Sequence, residues 1–218
     1  MGYNVAIDGP AGAGKSTIAK LVAKEKGFIY VDTGAMYRGL AVHFLDSGVD
    51  AENTEKIIEA CKDVDVTICY ENGMQQVYLN GKNITDRLRD EAVGNMASRS
   101  SAIPEVRAKL LDLQRNLART QNVIMDGRDI GTCVLPDADV KVYLTASVET
   151  RAKRRYDELI QKGVSCDLKE IEKDIDQRDH RDMTRETAPL KQAEDAVLVD
   201  SSHMTIDEVV DAIVNLCR

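Results

Sequence analysis

The sequence predicts an α/β fold, a parallel sheet covered by helices, on three observations. Short apolar runs recur at Val5-Ala6-Ile7, Phe28-Ile29-Tyr30-Val31, Val123-Ile124-Met125, Val140-Lys141-Val142-Tyr143-Leu144 and Ala196-Val197-Leu198-Val199, giving five strands. Between them lie segments with apolar residues three and four apart, the period of helices that cover a sheet. The core is aliphatic: no Trp and two Phe among 218 residues, with 43% hydrophobic residues, suit one sizeable domain with small insertions.

The first strand leads into Gly9-Pro10-Ala11-Gly12-Ala13-Gly14-Lys15-Ser16-Thr17, and a helical pattern with Ile18, Leu21 and Val22 on one face follows. Gly9, Gly14, Lys15 and Ser16 fill the spacing G-x-x-x-x-G-K-[ST] of a P-loop. Small residues let the backbone curl until several N–H groups point at one anion, and the helix N-terminus adds its positive end. Lys15 is then expected to reach the β- and γ-phosphates of a nucleoside triphosphate, and the Ser16 hydroxyl to ligand Mg²⁺. A glycine-rich turn with an incidental lysine is the bland alternative, and the strand before and helix after weigh against it.

Taking the elements in order, the first helix spans Lys15 to about Lys26 and stops at Gly27. The second strand delivers Asp32-Thr33-Gly34-Ala35-Met36-Tyr37-Arg38 to its carboxyl end, where open α/β sheets bind ligands. Tyr37 and Arg38 are expected in the first turn of the next helix, where an arginine grips a second phosphate or simply faces water. A polar helix from Ala51 to about Cys61 gives way to alternating Val64, Val66 and Ile68, then Val77-Tyr78-Leu79, with turns at Asn72-Gly73 and Asn80-Gly81. This small antiparallel insertion reads equally as part of a substrate lid or as decoration. A helix resumes over about Glu91–Ser101, and Pro104 opens another with Val106, Leu110, Leu113 and Leu117 in a stripe. Ser98 and Arg107 flank that corner.

The run Val123-Ile124-Met125 ends in Asp126-Gly127-Arg128-Asp129. A carboxylate at the end of an apolar strand resembles a Walker B element that orders Mg²⁺, with a structural turn as the alternative. Ser147 caps a helix carrying Arg151, Lys153, Arg154 and Arg155, closed near Gly163. A second helix from about Asp167 bears Arg178, Arg181 and Arg185, spaced to share one face, although Asp179 and Asp182 sit among them. Six of the fifteen arginines thus lie between residues 151 and 185, as in a mobile, phosphate-seeking lid or a pair of solvated helices. The last helix is amphipathic, with Ile206, Val209, Val210 and Ile213.

A net charge of −8 argues against general nucleic-acid binding, so cations serving an anionic ligand must be gathered around a single cleft. Five cysteines without a C-x-x-C pair predict idle thiols in a reducing compartment rather than disulfides or a zinc site. The sequon Asn83-Ile84-Thr85 is then accidental. With the first strand entered near Tyr3 and no apolar run approaching a membrane span, neither a signal peptide nor a membrane is expected, and the cytoplasm is the expected address.

These residues reach a phosphotransferase or NTPase of the P-loop class. A GTPase needs a base-reading N-K-x-D or T-K-x-D segment, and the sequence has none. Arginine-rich helices and Arg38 favour transfer to a phosphorylated acceptor over hydrolysis; a kinase for UMP, AMP or shikimate and a nucleotide-dependent switch remain alternatives.

Over essentially its whole length the chain resembles bacterial-type cytidylate kinases, P-loop nucleoside monophosphate kinases. The matching segments are Asp8 to Thr17, Asp32 to Arg38, Asp126-Gly127-Arg128-Asp129-Ile130-Gly131-Thr132 and Arg178-Asp179-His180-Arg181-Asp182, continued by Arg185-Glu186-Thr187-Ala188-Pro189-Leu190. The resemblance implies ATP-dependent phosphorylation of CMP and dCMP to the diphosphates; a monomer is expected, with no nucleic-acid or membrane partner. It implies a three-layer P-loop fold: a five-stranded parallel core of residues 1–34, 104–150 and 190–218, an NMP-binding region 35–103 with a β insertion at about 63–85, and a lid at about 151–186. By resemblance, Gly9 to Thr17 hold the ATP phosphates, approached by Arg155 from the lid, and Asp126 belongs with Lys15 to the catalytic set. Arg38, Arg128 and Arg185 hold the acceptor phosphate and the transferring group, with Asp32, Thr33 and Tyr37 in the acceptor segment. Ser98, Arg107 and Asp129 read cytosine, and Arg178 and Asp182 meet the ribose hydroxyls. Relatives often carry Gly after the lysine, so Ser16 is taken to share its Mg²⁺ role with Thr17 or water.

Overall fold

A computed structural model describes residues 2–217. In chain order they form β1 (Asn4–Asp8), α1 (Lys15–Lys26), β2 (Ile29–Asp32), α2 (Thr33–Asp46), α3 (Thr54–Lys62), β3 (Val66–Glu71), β4 (Met74–Leu79) and β5 (Lys82–Asn83). After a 3₁₀ turn at Thr85–Arg89 come α4 (Glu91–Ser100), α5 (Pro104–Thr120) and β6 (Val123–Gly127). A π-helical turn at Ile130–Val134 precedes β7 (Val140–Thr145), α6 (Val148–Gln161), α7 (Leu168–Thr184), β8 (Val197–Asp200) and α8 (Ile206–Leu216). The five expected strands form one parallel sheet in the order β2-β6-β1-β7-β8, and β3-β4-β5 make a second, antiparallel sheet.

The chain divides into two compact units. One comprises Tyr3–Ile29 and Asn122–Arg218. In it β1 pairs with β6 and β7, Ile7 opposite both Asp126 and Val142, and every strand ends toward the P-loop side of the ladder. Val5, Ala6, Ile7, Val123, Ile124 and Met125 are wholly buried, as a central parallel sheet requires. The helices start where short polar side chains satisfy the first free N–H groups: the Ser147 hydroxyl accepts from Thr150 N, Asp167 from Lys169 N and Glu170 N, and Thr205 with Glu208 forms a capping box. Gly27, at φ +68°, closes α1 as expected.

The other unit is Tyr30–Gln121. Here the antiparallel hairpin β3–β4 turns at Asn72-Gly73, both at positive φ, and pairs Val66 with Leu79 and Glu71 with Met74. Two boundaries differ from the sequence reading. The second strand extends to Asp32, whose carboxylate accepts from Ala35 N at 2.8 Å and starts α2 at Thr33, so Tyr37 and Arg38 fall in its second turn, not its first. Likewise α3 begins at Thr54 rather than Ala51, because Asn53 caps it through Lys56 N.

Candidate active site

The P-loop is shaped by residues that tolerate what its backbone does. A Cβ at Gly9 would sit 1.9 Å from the Leu144 carbonyl oxygen of β7, and φ is +151°, so only glycine fits. Gly14, in the left-handed region, turns the chain into α1. Lys15 opens that helix almost fully buried, its ammonium donating to the Pro10 carbonyl at 2.8 Å. Burial, then the neighbouring Arg128 guanidinium, pulls its pKa down to about 7. An anion placed in the loop relieves that unfavourable setting, which is what a phosphate-binding lysine needs.

Ser16 Oγ donates to Asp126 Oδ2 at 2.9 Å, so the residue after the lysine and the carboxylate at the end of β6 stand together. Two hard oxygen ligands on rigid elements suit Mg²⁺, a small cation that takes one or two protein oxygens and keeps waters. Thr17 is exposed on α1.

Beyond Asp126 the chain turns sharply. Asp8, the last residue of β1, is buried and accepts from Ile130 N and Gly131 N at 2.8 and 2.7 Å. Burial raises its pKa to about 6, against the lowering effect of those two bonds. The π-helical turn is closed by Val134 N donating to the Asp129 carbonyl and Leu135 N to that of Ile130. Thus Asp8 fixes the segment that presents Arg128 and Asp129. Arg128 Nε donates to Asp182 on α7 at 2.8 Å, and Arg185 Nη2 lies 3.6 Å from Asp129 Oδ1. Burial alone would raise the Asp182 carboxyl, but Arg128, with Arg178 and Arg185 beyond it, holds it below the usual carboxylate range. Five site residues, Arg128, Asp129, Arg178, Asp182 and Arg185, form one charged cluster in the unit that carries the P-loop.

The arginine-rich helices differ from their expected form. Arg178, Arg181 and Arg185 do not share a helical face: α7 ends at Thr184, Arg185 is extended and donates to the Ala188 carbonyl, and Arg181 is exposed. Ile175, Asp179 and Asp182 take the buried face instead. Arg151 is buried, donating to the carbonyls of Ala146 and Ala11, both at 2.9 Å, and pairing with Asp179 at 2.7 Å. Arg154 donates to the Ser201 hydroxyl and carbonyl. These two anchor the base of α6, and Arg151 ties the P-loop to α7. Arg155 is exposed and pairs with Glu158 one turn on. The roles of Arg151, Asp179 and Asp8 escape sequence reasoning: Asp8 and Asp179 stand there only as members of matching motifs, and Arg151 only as one arginine of a charged helix.

In the other unit, Arg38 pairs with Asp32 at 3.0 Å, and Thr33 is buried at the start of α2. The Arg107 guanidinium lies 5.5 Å from the centre of the Tyr37 ring and donates to the Ser101 carbonyl. The Ser98 hydroxyl is shielded from water with no hydrogen-bond partner among the described residues, an arrangement that suits a ligand's polar edge. Among the described residues no disulfide joins the cysteines, no group of three His, Cys, Asp or Glu could hold a metal, and no helix is long and apolar enough to cross a membrane.

Fold and P-loop together define a protein of the P-loop nucleotide-binding class. The family model for cytidylate kinase matches residues 5–218. A cytidylate kinase of Caldicellulosiruptor saccharolyticus is 51% identical over 98% of this chain and 94% of its own length. One from Lactobacillus johnsonii is 48% identical over 98% of this chain and 93% of its own. A solved structure of an uncharacterized protein from Eubacterium ventriosum is alike in fold, with a TM-score of 0.54 at 14% identity, covering 98% of this chain and 96% of that one. The chain belongs to the cytidylate kinase family.

Proposed function

We propose that this enzyme transfers the γ-phosphoryl group of ATP to CMP, and to dCMP, as a cytoplasmic monomer. The reading rests above all on the segment Asp126 to Asp129, which sets a carboxylate beside Ser16 and then an arginine and a second carboxylate into the cluster with Asp182 and Arg185. Gly9 to Thr17 hold the ATP phosphates, and Arg155 joins them from a lid of residues 151–186 once it leaves Glu158. Arg38, Arg128 and Arg185 grip the acceptor phosphate and Arg178 and Asp182 the ribose; Asp32 and Thr33, at the end of the core segment 1–34, and Tyr37 support Arg38 near the start of an NMP-binding region of residues 35–103. Ser98, Arg107 and Asp129 read cytosine.

Cytosine presents an amino donor at C4, from which the Asp129 carboxylate accepts. Uracil presents a carbonyl there, leaving two acceptors face to face, and an unpaired buried polar group is rejected strongly. The acceptor phosphate is already anionic and nucleophilic, so no general base is needed; its oxygen attacks the γ-phosphorus in line and ADP leaves. The barrier is the repulsion of two polyanions, and Lys15, Arg128 and Arg185 neutralise the charge that gathers in transfer. Ser16 and Asp126 would hold Mg²⁺, which supplies further charge neutralisation on the ATP phosphates. Initial rates of ADP formation with CMP, dCMP, UMP, AMP and shikimate test the reading. CMP and dCMP are expected far ahead of the rest; a preference for another acceptor, or equal ADP formation without any acceptor, would overturn it.

A further inference from the structure

The β3–β4 hairpin takes no part in the chemistry above, yet it meets the chain on both sides of Arg38. Tyr70 and Gln75 stand directly opposite each other in its ladder, so their side chains lie side by side on one face. The Tyr70 hydroxyl donates to the Tyr30 carbonyl at 3.1 Å. The Gln75 amide nitrogen donates to the Asp32 carbonyl at 3.0 Å, and the amide oxygen accepts from Asp32 N, also at 3.0 Å. A glutamine used this way copies the paired bonds that a neighbouring strand would make. Burial, then the Asp32 carboxylate, pushes the Tyr70 phenol above its usual range, as a close seat beside that residue requires. On the far side, a Cβ at Gly39 would come within 3.0 Å of Val77 Cγ1, so β4 also packs against α2 directly after Arg38.

Asp32 is the residue this grip controls. One carboxylate oxygen caps α2 through Ala35 N, and the other accepts from Arg38 Nη2 at 3.0 Å. Its backbone is held by Gln75, so a shift of the hairpin is passed through Asp32 to the guanidinium. Hydrophobic docking of Val77 and Leu79 would hold a decorative hairpin without spending a polar side chain on one peptide unit.

We propose that Gln75 is a positioning residue for the acceptor phosphate: by holding the Asp32 backbone it fixes the carboxylate that aims Arg38, and the hairpin is the frame of that grip. The inference rests on the reading that Arg38 binds the phosphate of CMP.

Steady-state kinetics of the full chain test it, with CMP varied at saturating ATP and with cytidine, which lacks the phosphate, as competitive inhibitor. Gln75→Ala is expected to raise KM for CMP roughly fivefold, the equivalent of about one net hydrogen bond. KM for ATP and the inhibition constant of cytidine should stay within about twofold, because neither depends on Arg38. In an Arg38→Ala background the same substitution should change KM for CMP by less than about twofold, since its effect runs through a side chain already removed. A full fivefold loss in that background, or equal weakening of cytidine, would overturn the inference while leaving Arg38 in place. No change in KM on Arg38→Ala alone would bring down the phosphate reading, and this inference with it. Gln75→Met keeps the packing without the hydrogen bonds; it should reproduce the KM shift even if Gln75→Ala folds poorly, and an unchanged KM would count against the proposal.

Discussion

Replacing Arg151 by methionine removes one guanidinium that serves three groups. Its stem lies under Gly12, where a Cβ would approach the Arg151 Cβ to 3.3 Å, and methionine fills that space. What disappears is the donor set: the bonds to Ala146 and Ala11 at 2.9 Å each and the ion pair with Asp179 at 2.7 Å, whose side chains are only 4% and 9% exposed. Removing one partner of a buried pair leaves the other charge uncompensated and costs about 3–5 kcal/mol. In a chain of this size each kcal/mol moves Tm by about 2–4 °C, so a fall of about 6–20 °C is expected in thermal denaturation followed by circular dichroism. Adding Asp179→Leu removes the stranded carboxylate and should restore most of that stability, because apolar replacement of a whole buried pair is close to neutral. KM for ATP should rise more than KM for CMP, since the Ala11 carbonyl lies in the P-loop. A loss of less than about 1 kcal/mol for Arg151→Met would refute the reasoning, because it would put the pair in the range of exposed, screened ion pairs.

Three further perturbations follow from the same geometry. Lys15→Ala should lower kcat by at least about 10²–10³-fold, the worth of one well-placed electrostatic donor, while Tm holds or rises because a buried ammonium is gone; near wild-type turnover would remove the lysine from the mechanism. Asp8, raised from 3.8 to about 6, binds more protons folded than unfolded between those values, so its contribution is fully present below pH 3.8 and is lost as pH rises through 6. At about 1.4 kcal/mol per unit, wild type should lose about 3 kcal/mol relative to Asp8→Asn over that window in urea titrations, and parallel pH profiles would contradict the buried carboxylate. Gly34→Ala places a Cβ 3.0 Å from Arg38 Nη1 and 3.2 Å from Asp32 Oδ1. Stability should rise by up to about 1 kcal/mol from helix propensity while KM for CMP rises about fivefold; an unchanged KM would show that the Arg38 pose is immaterial.

How far the sequence could be read depended on whether a feature was local. The P-loop was legible because strand, glycine spacing and helix are contiguous, and the start of α5 because Pro104 states it. Of the expected stripe Val106 and Leu110 are buried, but further along Gln114 and Ala118 take the buried face in place of Leu113 and Leu117, which are half-buried. The arginines of α6 and α7 were not legible. A charged residue at helical spacing looks the same whether it faces water, as Arg155 and Arg181 do, or a neighbouring helix, as Arg151 does. Its assignment depends on a partner 28 residues away, Asp179, that no periodicity reveals. The π-helical turn after Asp129 was hidden for the same reason, since the carboxylate that fixes it, Asp8, comes from the other end of the chain. Gln75 carries no motif at all, and its part emerges only when β4 is seen beside the end of β2.

Selection of cytosine by the carboxylate at the end of the β6 segment is the step on which the proposed specificity turns. Its most direct test is the ratio of kcat/KM for CMP to that for UMP in wild type and in Asp129→Ala. The ratio should drop by at least about tenfold, the loss of one buried polar pairing, while KM for ATP changes by less than about twofold. A ratio equal to that of the wild type would contradict the assignment of Asp129 as the reader of the base.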